Sequence, residues 1–405
     1  MRHFSMKTVT FLWTACGLLA SVSADEPTPG DPIVEEARNA IRRSLPFVER
    51  EGVAWMEKRK CMSCHQVSHF VWTFNEAQRR GFAVDVGKLK QWNEWSFKNS
   101  LGGNPFYRLS AASLEAVPPA ELSEDERTKL QSIQNQDFVT ERDFLAGVDP
   151  LLSINDLPEH RAAVLKATTK PGVSPGDSNG SGAYQILLHT GTAVAMSSPD
   201  QAVGALLEGL RRTQQSDGLW KASGQFLAMN RPQAESTEVN TMWILLALSS
   251  VENLPAPLTE CRERAQAAIE KTPPGVSTES LLLRLLLADR NREAMPVETL
   301  LKSLLELQRA DGGWAWRQES PNSDPLTTGE VIYGLGRLGQ GLQDPPVNRA
   351  WNYLLKNQQE DGSWIVPWIA FNLENGKDHV DGDRVFNYWG STWSLLGLLQ
   401  TLPGE

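Results

Sequence analysis

The chain has 405 residues, a formal net charge of -10 at neutral pH and a mean hydropathy of -0.35. This length suits one large domain or two ordinary ones, and an acidic balance without a basic tract argues against nucleic acid or anionic membrane surfaces as partners. Beyond the first two dozen residues there is no long apolar run, so we expect a mature protein without a membrane span.

The amino terminus is typical of a secretory signal peptide. Arg2 and Lys7 give a positive start, residues 9–22 are mostly apolar, and Val22-Ser23-Ala24 is a small-residue cleavage site. An acidic, proline-containing stretch follows. We therefore expect export to the periplasm or the medium, with cleavage after Ala24. The expected signal peptide, linker and domain cover residues 1–24, 25–36 and 37–405.

The segment Cys61-Met62-Ser63-Cys64-His65 has the C-x-x-C-H pattern by which c-type haem is attached. Two thiols bond the porphyrin, and the adjacent histidine becomes the proximal ligand of the iron. We predict one covalent haem c held by Cys61, Cys64 and His65. Two alternatives remain open: a zinc site that adds His69 to these residues, and a disulfide between the two cysteines.

The second axial position of the iron needs a residue from elsewhere in the chain. His69 lies one helical turn after His65 and therefore on the same side of the iron, so it is better explained as a contact to the haem edge or as a core histidine. His189, on an apolar helix, is our first candidate, although a buried histidine with an ordinary hydrogen-bond partner is the alternative. An open sixth position would favour peroxide or small-gas chemistry. Further candidates are Met56, Met62, His160, Met196, Met229 and His379.

Three segments share the pattern Q-x-x-D-G-x-W, at residues 214–220, 308–314 and 358–364. Each follows an amphipathic helix and precedes an apolar one, which predicts hairpins with an outer charged helix and an inner apolar helix. The glycine should take a positive φ, the tryptophan should pack on a neighbouring hairpin, and the glutamine should bond helix-end groups of the next unit. We expect about six or seven such hairpins. The predicted helices are Ala202–Thr213 with Thr237–Val251, Val297–Leu307 with Thr328–Leu338, and Val347–Asn357 with Thr392–Leu402.

The triplet resembles the QW repeat of squalene–hopene cyclases and related prenyltransferase-type α/α toroids, over roughly residues 200–402. The whole chain resembles a bacterial group of exported cyclase-like proteins with a CxxCH haem motif in the first hairpin. This resemblance implies an all-α fold, an α/α toroid of inner and outer helix rings around a central apolar cavity. The segments that carry it are residues 61–72, 80–85, 361–364 and 376–378.

The sequence lacks the motifs on which terpene cyclisation depends. Class II cyclases use a D-x-D-D acid, whereas the closest string here, Asp381-Gly382-Asp383-Arg384, is one acid short. A D-D-x-x-D diphosphate motif and a D-x-C zinc motif are also absent from the sequence. We therefore expect no classical terpene cyclase activity, because fold analogy alone does not carry function.

An unusually long segment, Ile365 to Trp389, separates the last repeat from its inner helix. Its polar residues are candidates for the mouth of the cavity, with a solvated loop as the alternative: Asp378, His379, Asp381 and Asp383. Glu238, Glu279 and Glu330 near inner-helix starts are interpreted as helix-dipole partners.

The functional prediction is an exported c-type haem protein that exchanges electrons with an exported redox partner, or that carries out redox chemistry on a hydrophobic ligand in the barrel. The alternative is a non-catalytic toroid that binds or senses an isoprenoid or lipid, with a structural haem or zinc.

Overall fold

The computed structural model describes residues 31–59, 66–100, 122–134, 147–148, 184, 188, 199–222, 232–251, 253–366 and 382–404. Within these ranges the regular elements are helices, and none of them is long and apolar enough to cross a membrane. The helices are α1 (Pro32–Arg59), α2 (Val67–Arg79), α3 (Val86–Ser100), α4 (Glu124–Ile133), α5 (Pro199–Thr213), α6 (Gln233–Ser249), α7 (Ala256–Lys271), α8 (Thr278–Arg290), α9 (Ala294–Glu306), α10 (Pro325–Arg337), α11 (Pro345–Asn357) and α12 (Gly382–Thr401).

Burial separates these helices into an inner and an outer set. In α2 every residue from Val67 to Ala77 is buried, and in α10 the same holds from Pro325 to Leu335. By contrast, α11 buries only one face. A helix that is buried all round is packed on both sides, so α2, α6, α8, α10 and α12 form the inner layer. For α6, α10 and α12 this confirms the sequence prediction.

The inner helices run in the same direction. His69 and Trp389 meet near the starts of α2 and α12, and Arg80 donates to the carbonyl of Leu402 where both helices end. On α6 and α8, Glu238 meets Ser280 near the starts and Arg290 reaches the carbonyl of Ser249 at the ends. The barrel therefore has one end formed by the amino termini of the inner helices and a second end formed by their carboxyl termini.

One contact, repeated three times, joins successive hairpins. The repeat glutamine donates from Nε2 to a carbonyl of the next outer helix, and an arginine three residues after that carbonyl donates to the glutamine Oε1. We call this pair of contacts the Gln–Arg clamp. It consists of Gln214 with Cys261 (2.7 Å) and Arg264, Gln308 with Pro346 (2.8 Å) and Arg349, and Gln358 with Ala40 (2.9 Å) and Arg43.

The third clamp closes the ring, because Gln358 in the last repeat holds α1 in the first hairpin. Together with the inner and outer layers, this closure makes the fold an α/α toroid. The predicted reach of the glutamine into the next unit is confirmed, but for Cys261 and Ala40 the accepting carbonyl lies within the outer helix, not at its end.

The repeat glycines are required by the clamp. Gly218, Gly312 and Gly362 have φ of 90°, 91° and 86°, a region that side chains with a Cβ avoid. A Cβ at each position would also collide with a backbone carbonyl of the next outer helix, and that carbonyl belongs to the residues Arg264, Arg349 and Arg43. The glycine thus allows the turn to lie directly against the helix that the glutamine holds.

The joint between α7 and α9 is built differently. Its turn, Thr272 to Ser277, lacks the repeat, and two buried glutamates of α6 hold it. Glu238 accepts from the Gly275 amide and Glu235 from the Ser277 amide, both at 2.9 Å, and Arg284 pairs with Glu238. An open groove of about 710 Å³ lies at this unclamped joint, with Ile269, Leu287 and Leu300 among its apolar residues.

Several predicted boundaries and roles need correction. Helix α1 begins at Pro32, inside the predicted linker 25–36, because proline is well suited to a first helical turn. Helix α12 begins at Gly382, ten residues before the predicted Thr392, because Val385, Phe386 and Trp389 find buried positions on it. Asp383 therefore belongs to a helix and not to a loop.

The inner-helix glutamates make contacts between hairpins. Glu279 accepts from Trp243 Nε1 at 2.9 Å, and Glu238 holds the turn before α8, so these two side chains join α6 to α8. The interpretation as dipole partners of their own helices is therefore incomplete.

Candidate functional site

The sequence-predicted site residues fall largely outside the described residues. This applies to Cys61, Cys64 and His65, to His189, and to Asp378, His379 and Asp381. Asp383 lies in the first turn of α12, and its side chain is not described. The predictions for these residues therefore stay predictions, and the described residues define only their surroundings.

The CMSCH motif lies between α1, which ends at Arg59, and α2, which begins at Val67. The motif thus lies in sequence between an outer and an inner helix, the position that Q-x-x-D-G-x-W takes in three other hairpins. Directly after the motif, Gln66 is buried, and its Oε1 has no hydrogen-bond partner within the described part of the chain. A partly buried apolar group on the last turns of α1 precedes it: Val53, Trp55 and Met56.

Helix α12 packs its first turns against this region. Tyr388 lies with its hydroxyl 3.4 Å from the Val48 carbonyl and 3.5 Å from that of Gln66. Arg384 pairs with Glu51 on α1. The motif and the segment that precedes α12 therefore meet the described barrel at the same end, the one formed by the inner-helix amino termini. Neither Tyr388 nor Gln66 stood out in the sequence, because their relation to the motif is set by packing between distant segments.

His69 is a core residue of the inner layer. It is 1% exposed, and its Nε2 accepts from Trp389 Nε1 at 3.3 Å. The rings of Trp72 and Trp393 lie at centroid distances of 5.8 and 5.2 Å. Since Nε2 already accepts a hydrogen bond, this geometry agrees with the interpretation of His69 as a packed histidine.

Aromatic side chains fill the layer of the barrel next to His69. Trp72 contacts Tyr333, Trp393 and Trp243 at centroid distances of 5.2, 5.4 and 6.1 Å. All four are at most 1% exposed, so water does not reach them, and edge-to-face contacts of this kind stabilise a core. The described residues thus place a packed aromatic cluster in this layer, where the resemblance implied a central apolar cavity.

Within the described ranges, no cluster of three or more histidine, cysteine, aspartate or glutamate residues could hold a metal ion. The predicted haem and the alternative zinc site both depend on Cys61 and Cys64, which lie outside those ranges.

Asp324 is the buried carboxyl group with the clearest electrostatic perturbation. It caps α10, accepting from the Thr327 amide at 2.7 Å and from the Trp316 amide at 3.0 Å. Burial raises its pKa to about 6, although these hydrogen bonds act in the opposite direction. All of its described contacts are structural, so we interpret it as a helix cap.

Asp324 should make stability depend on pH. The pKa of Asp324 in the folded state is raised above the ordinary 3.8. The folding stability that comes from this shift is therefore fully present below about pH 4 and is lost as the pH rises through about 6. The difference in unfolding free energy between the wild type and Asp324→Asn should therefore change by roughly 3 kcal/mol over this range. Urea unfolding at several pH values measures it. A difference that stays constant with pH would contradict the shifted pKa.

Comparisons with known proteins give one local sequence similarity and several weak structural ones. No family model matches the chain. A curated drimenyl diphosphate synthase from Streptomyces showdoensis is 33% identical over 76 residues, which is 19% of this chain and only 14% of that relative. The similarity is therefore local.

Similar solved structures include a polysaccharide lyase, a glycosyl hydrolase of family 88 from Bacteroides vulgatus, and a type II terpene cyclase from Scytonema with merosterolic acid A as product. Each of the three is 14% identical to this chain. In the order given, the alignments cover 91%, 91% and 92% of this chain and 97%, 99% and 99% of the solved chain, and the TM-scores are 0.37, 0.39 and 0.32. TM-scores this low carry no argument about the fold. The assignment of this chain to the α/α toroid class therefore rests on the helix layers and the Gln–Arg clamps described above.

Proposed function

We propose that this protein is an exported α/α toroid that carries one covalent c-type haem in the turn of its first hairpin and works in electron transfer. The observation that carries the proposal is the C-x-x-C-H sequence at residues 61–65, placed between α1 and α2. Haem c needs two thiols, which would bond the porphyrin, and an imidazole, which would bind the iron. When bound, this group would supply one-electron redox chemistry.

The surroundings suit a porphyrin of this kind. The partly buried Val53, Trp55 and Met56 offer apolar contacts. The buried amide oxygen of Gln66, which has no partner among the described residues, offers a hydrogen-bond acceptor beside the motif. Helix α2 begins two residues after His65, and its first turn is fixed against α12 by His69 and Trp389. In this proposal the chain orients the proximal histidine through a rigid helix start. The reaction partner is an exported redox protein or a hydrophobic molecule.

The test is the visible spectrum of the mature protein, produced with the c-type maturation machinery. We expect a Soret band and sharp reduced α and β bands that survive acid–acetone extraction. Cys61→Ser combined with Cys64→Ser should abolish the covalent pigment, whereas Cys261→Ser, which changes a buried thiol on α7, should leave it intact. Loss of low-spin character in His189→Ala would assign the sixth ligand. A colourless wild-type protein that contains zinc would refute the haem.

A second candidate is an isoprenoid-binding or cyclase-like toroid. It is favoured by the local 33% identity to drimenyl diphosphate synthase. The missing D-x-D-D acid weighs against turnover, and in the described residues the buried Asp324 already serves as a helix cap. Incubation with linear isoprenoid diphosphates and with squalene, followed by mass spectrometry, separates the candidates. Cyclic products would favour this second function, and recovery of intact, tightly bound isoprenoid would favour binding alone.

A further inference from the structure

A small cavity of about 150 Å³ lies at the barrel end opposite the CMSCH motif, where α6, α8 and α10 finish. Its wall divides into an apolar part and a polar rim. The apolar part consists of Tyr184, Leu188, Leu246 and Leu286, and the rim of Ser250, Asp289, Arg290 and Arg337. This combination of an apolar body with a few convergent polar groups is typical of small-molecule sites.

The volume of the whole cavity fits one ring or a short chain. A cavity of about 150 Å³ lined by aliphatic and aromatic side chains holds benzene in another protein. Here the Tyr184 ring forms one wall and is fixed from behind, with centroid distances of 5.6 Å to Trp72 and 5.4 Å to Trp243. Leu246 and Leu286 are 8% exposed, which leaves a small apolar surface at the opening.

The charges on the rim favour a single negative group. Arg290 already donates to the Ser249 carbonyl, whereas Arg337 makes no side-chain hydrogen bond or ion pair within the described part of the chain. Glu76, whose carboxylate pairs with Arg79, also interacts electrostatically with Arg337. Asp289 on the same rim opposes a ligand with several negative charges.

Tyr333 stands four residues before Arg337 on α10 and therefore on the same face of that helix. Tyr333 is 1% exposed, and its hydroxyl makes no well-formed hydrogen bond in the described residues. Burial, followed by the nearby Tyr184, raises its pKa well above the ordinary value. It therefore stays a neutral phenol on the face of α10 that carries Arg337.

We propose that this cavity binds a small amphipathic monocarboxylate, with the carboxylate on Arg337 and the apolar body between Tyr184, Leu246 and Leu286. The planar guanidinium matches a carboxylate with two parallel hydrogen bonds. The site is independent of the proposed haem, since it uses none of the residues of the CMSCH motif and lies at the other end of the barrel. Failure of either proposal therefore leaves the other standing.

The test uses benzoate as the probe and the full mature protein. Titration calorimetry should show saturable binding. Benzamide, which has the same shape without the charge, should bind at least about 10-fold more weakly, and Arg337→Gln should weaken benzoate binding by about 10-fold or more, as expected for a charged hydrogen-bonded pair. Arg337→Lys keeps the positive charge but loses the planar guanidinium, so its affinity for benzoate should lie between those of the wild type and Arg337→Gln.

A matched control is Arg42→Gln, which removes an arginine from the outer helix α1 that bonds only Asn39 in the described structure; it should leave binding unchanged. Because Arg337 is exposed, its variants should fold, which a melting curve verifies. The proposal is overturned if benzoate does not saturate, if benzamide binds equally well, or if Arg337→Gln binds benzoate like the wild type.

Discussion

Trp314→Ala should lower the free energy of unfolding by about 4 kcal/mol, the cost typical of removing a fully buried aromatic side chain. Trp314 is 0% exposed, and its Nε1 donates to the Leu304 carbonyl at 2.8 Å. Its backbone amide also donates to Thr328 Oγ1 at 2.9 Å, which ties the turn to the inner helix α10. Loss of the ring thus leaves a cavity between an outer helix and the helix it covers.

Urea unfolding of the purified protein measures this loss of stability, and two further variants serve as comparisons. Trp314→Phe keeps part of the ring and loses the N–H, so we expect a loss of about 2 kcal/mol. Met295→Ala removes an apolar side chain that is 81% exposed and should change stability by less than about 0.5 kcal/mol. An effect of Trp314→Ala as small as that of Met295→Ala would mean that the repeat tryptophan does not hold the hairpin together.

Gly329→Ala is expected to destabilise the fold by about 3 kcal/mol although alanine is the better helix former. Gly329 on α10 lies against the backbone of Trp393 and Ser394 on α12, and a Cβ there would overlap these backbone atoms. Gly397 on α12 faces the Gly329 carbonyl in the same way. Backbone cannot rotate aside as a flexible side chain can, so the two inner helices would have to separate.

The matched control is Gly204→Ala on α5, where a Cβ would meet no atom within 4 Å. There the same substitution should stabilise the protein by up to about 1 kcal/mol through helix propensity alone. Thermal and urea unfolding of both variants should therefore give opposite signs. A neutral result for Gly329→Ala would show that α10 and α12 are not in backbone contact.

The Gln–Arg clamp explains why some residues of the repeat could be recognised and others could not. The glutamine and glycine stand at fixed positions in Q-x-x-D-G-x-W, so their roles could be argued from the sequence. The tryptophan, which was predicted to pack on a neighbouring hairpin, donates its Nε1–H to the outer helix of its own hairpin in all three repeats. The arginines stand on the following outer helix, and in the third clamp Arg43 is 315 residues from Gln358. Each clamp arginine stands three positions after the residue whose carbonyl accepts from the glutamine. This spacing can be recognised only after the outer helices have been aligned on their clamp contacts.

The site at the carboxyl-terminal end of the barrel had no sequence signal. Arg337 resembles any basic residue in a last helical turn, and Tyr184 lies far from it in the chain. Their proximity depends on the parallel packing of the inner helices around Trp72 and Tyr333. Such convergence comes from tertiary contacts, which local patterns do not encode.

By itself, the sequence determined the all-α class, the hairpin unit, the positive-φ glycines and the position of the C-x-x-C-H motif between two helices, because periodicity, turn chemistry and short motifs act over a few residues. The tertiary structure decided the closure of the ring through α1, the early start of α12, the aromatic filling next to His69 and the unclamped joint between α7 and α9. These features depend on which distant surfaces exclude water together, and burial of that kind is a property of the assembled helices.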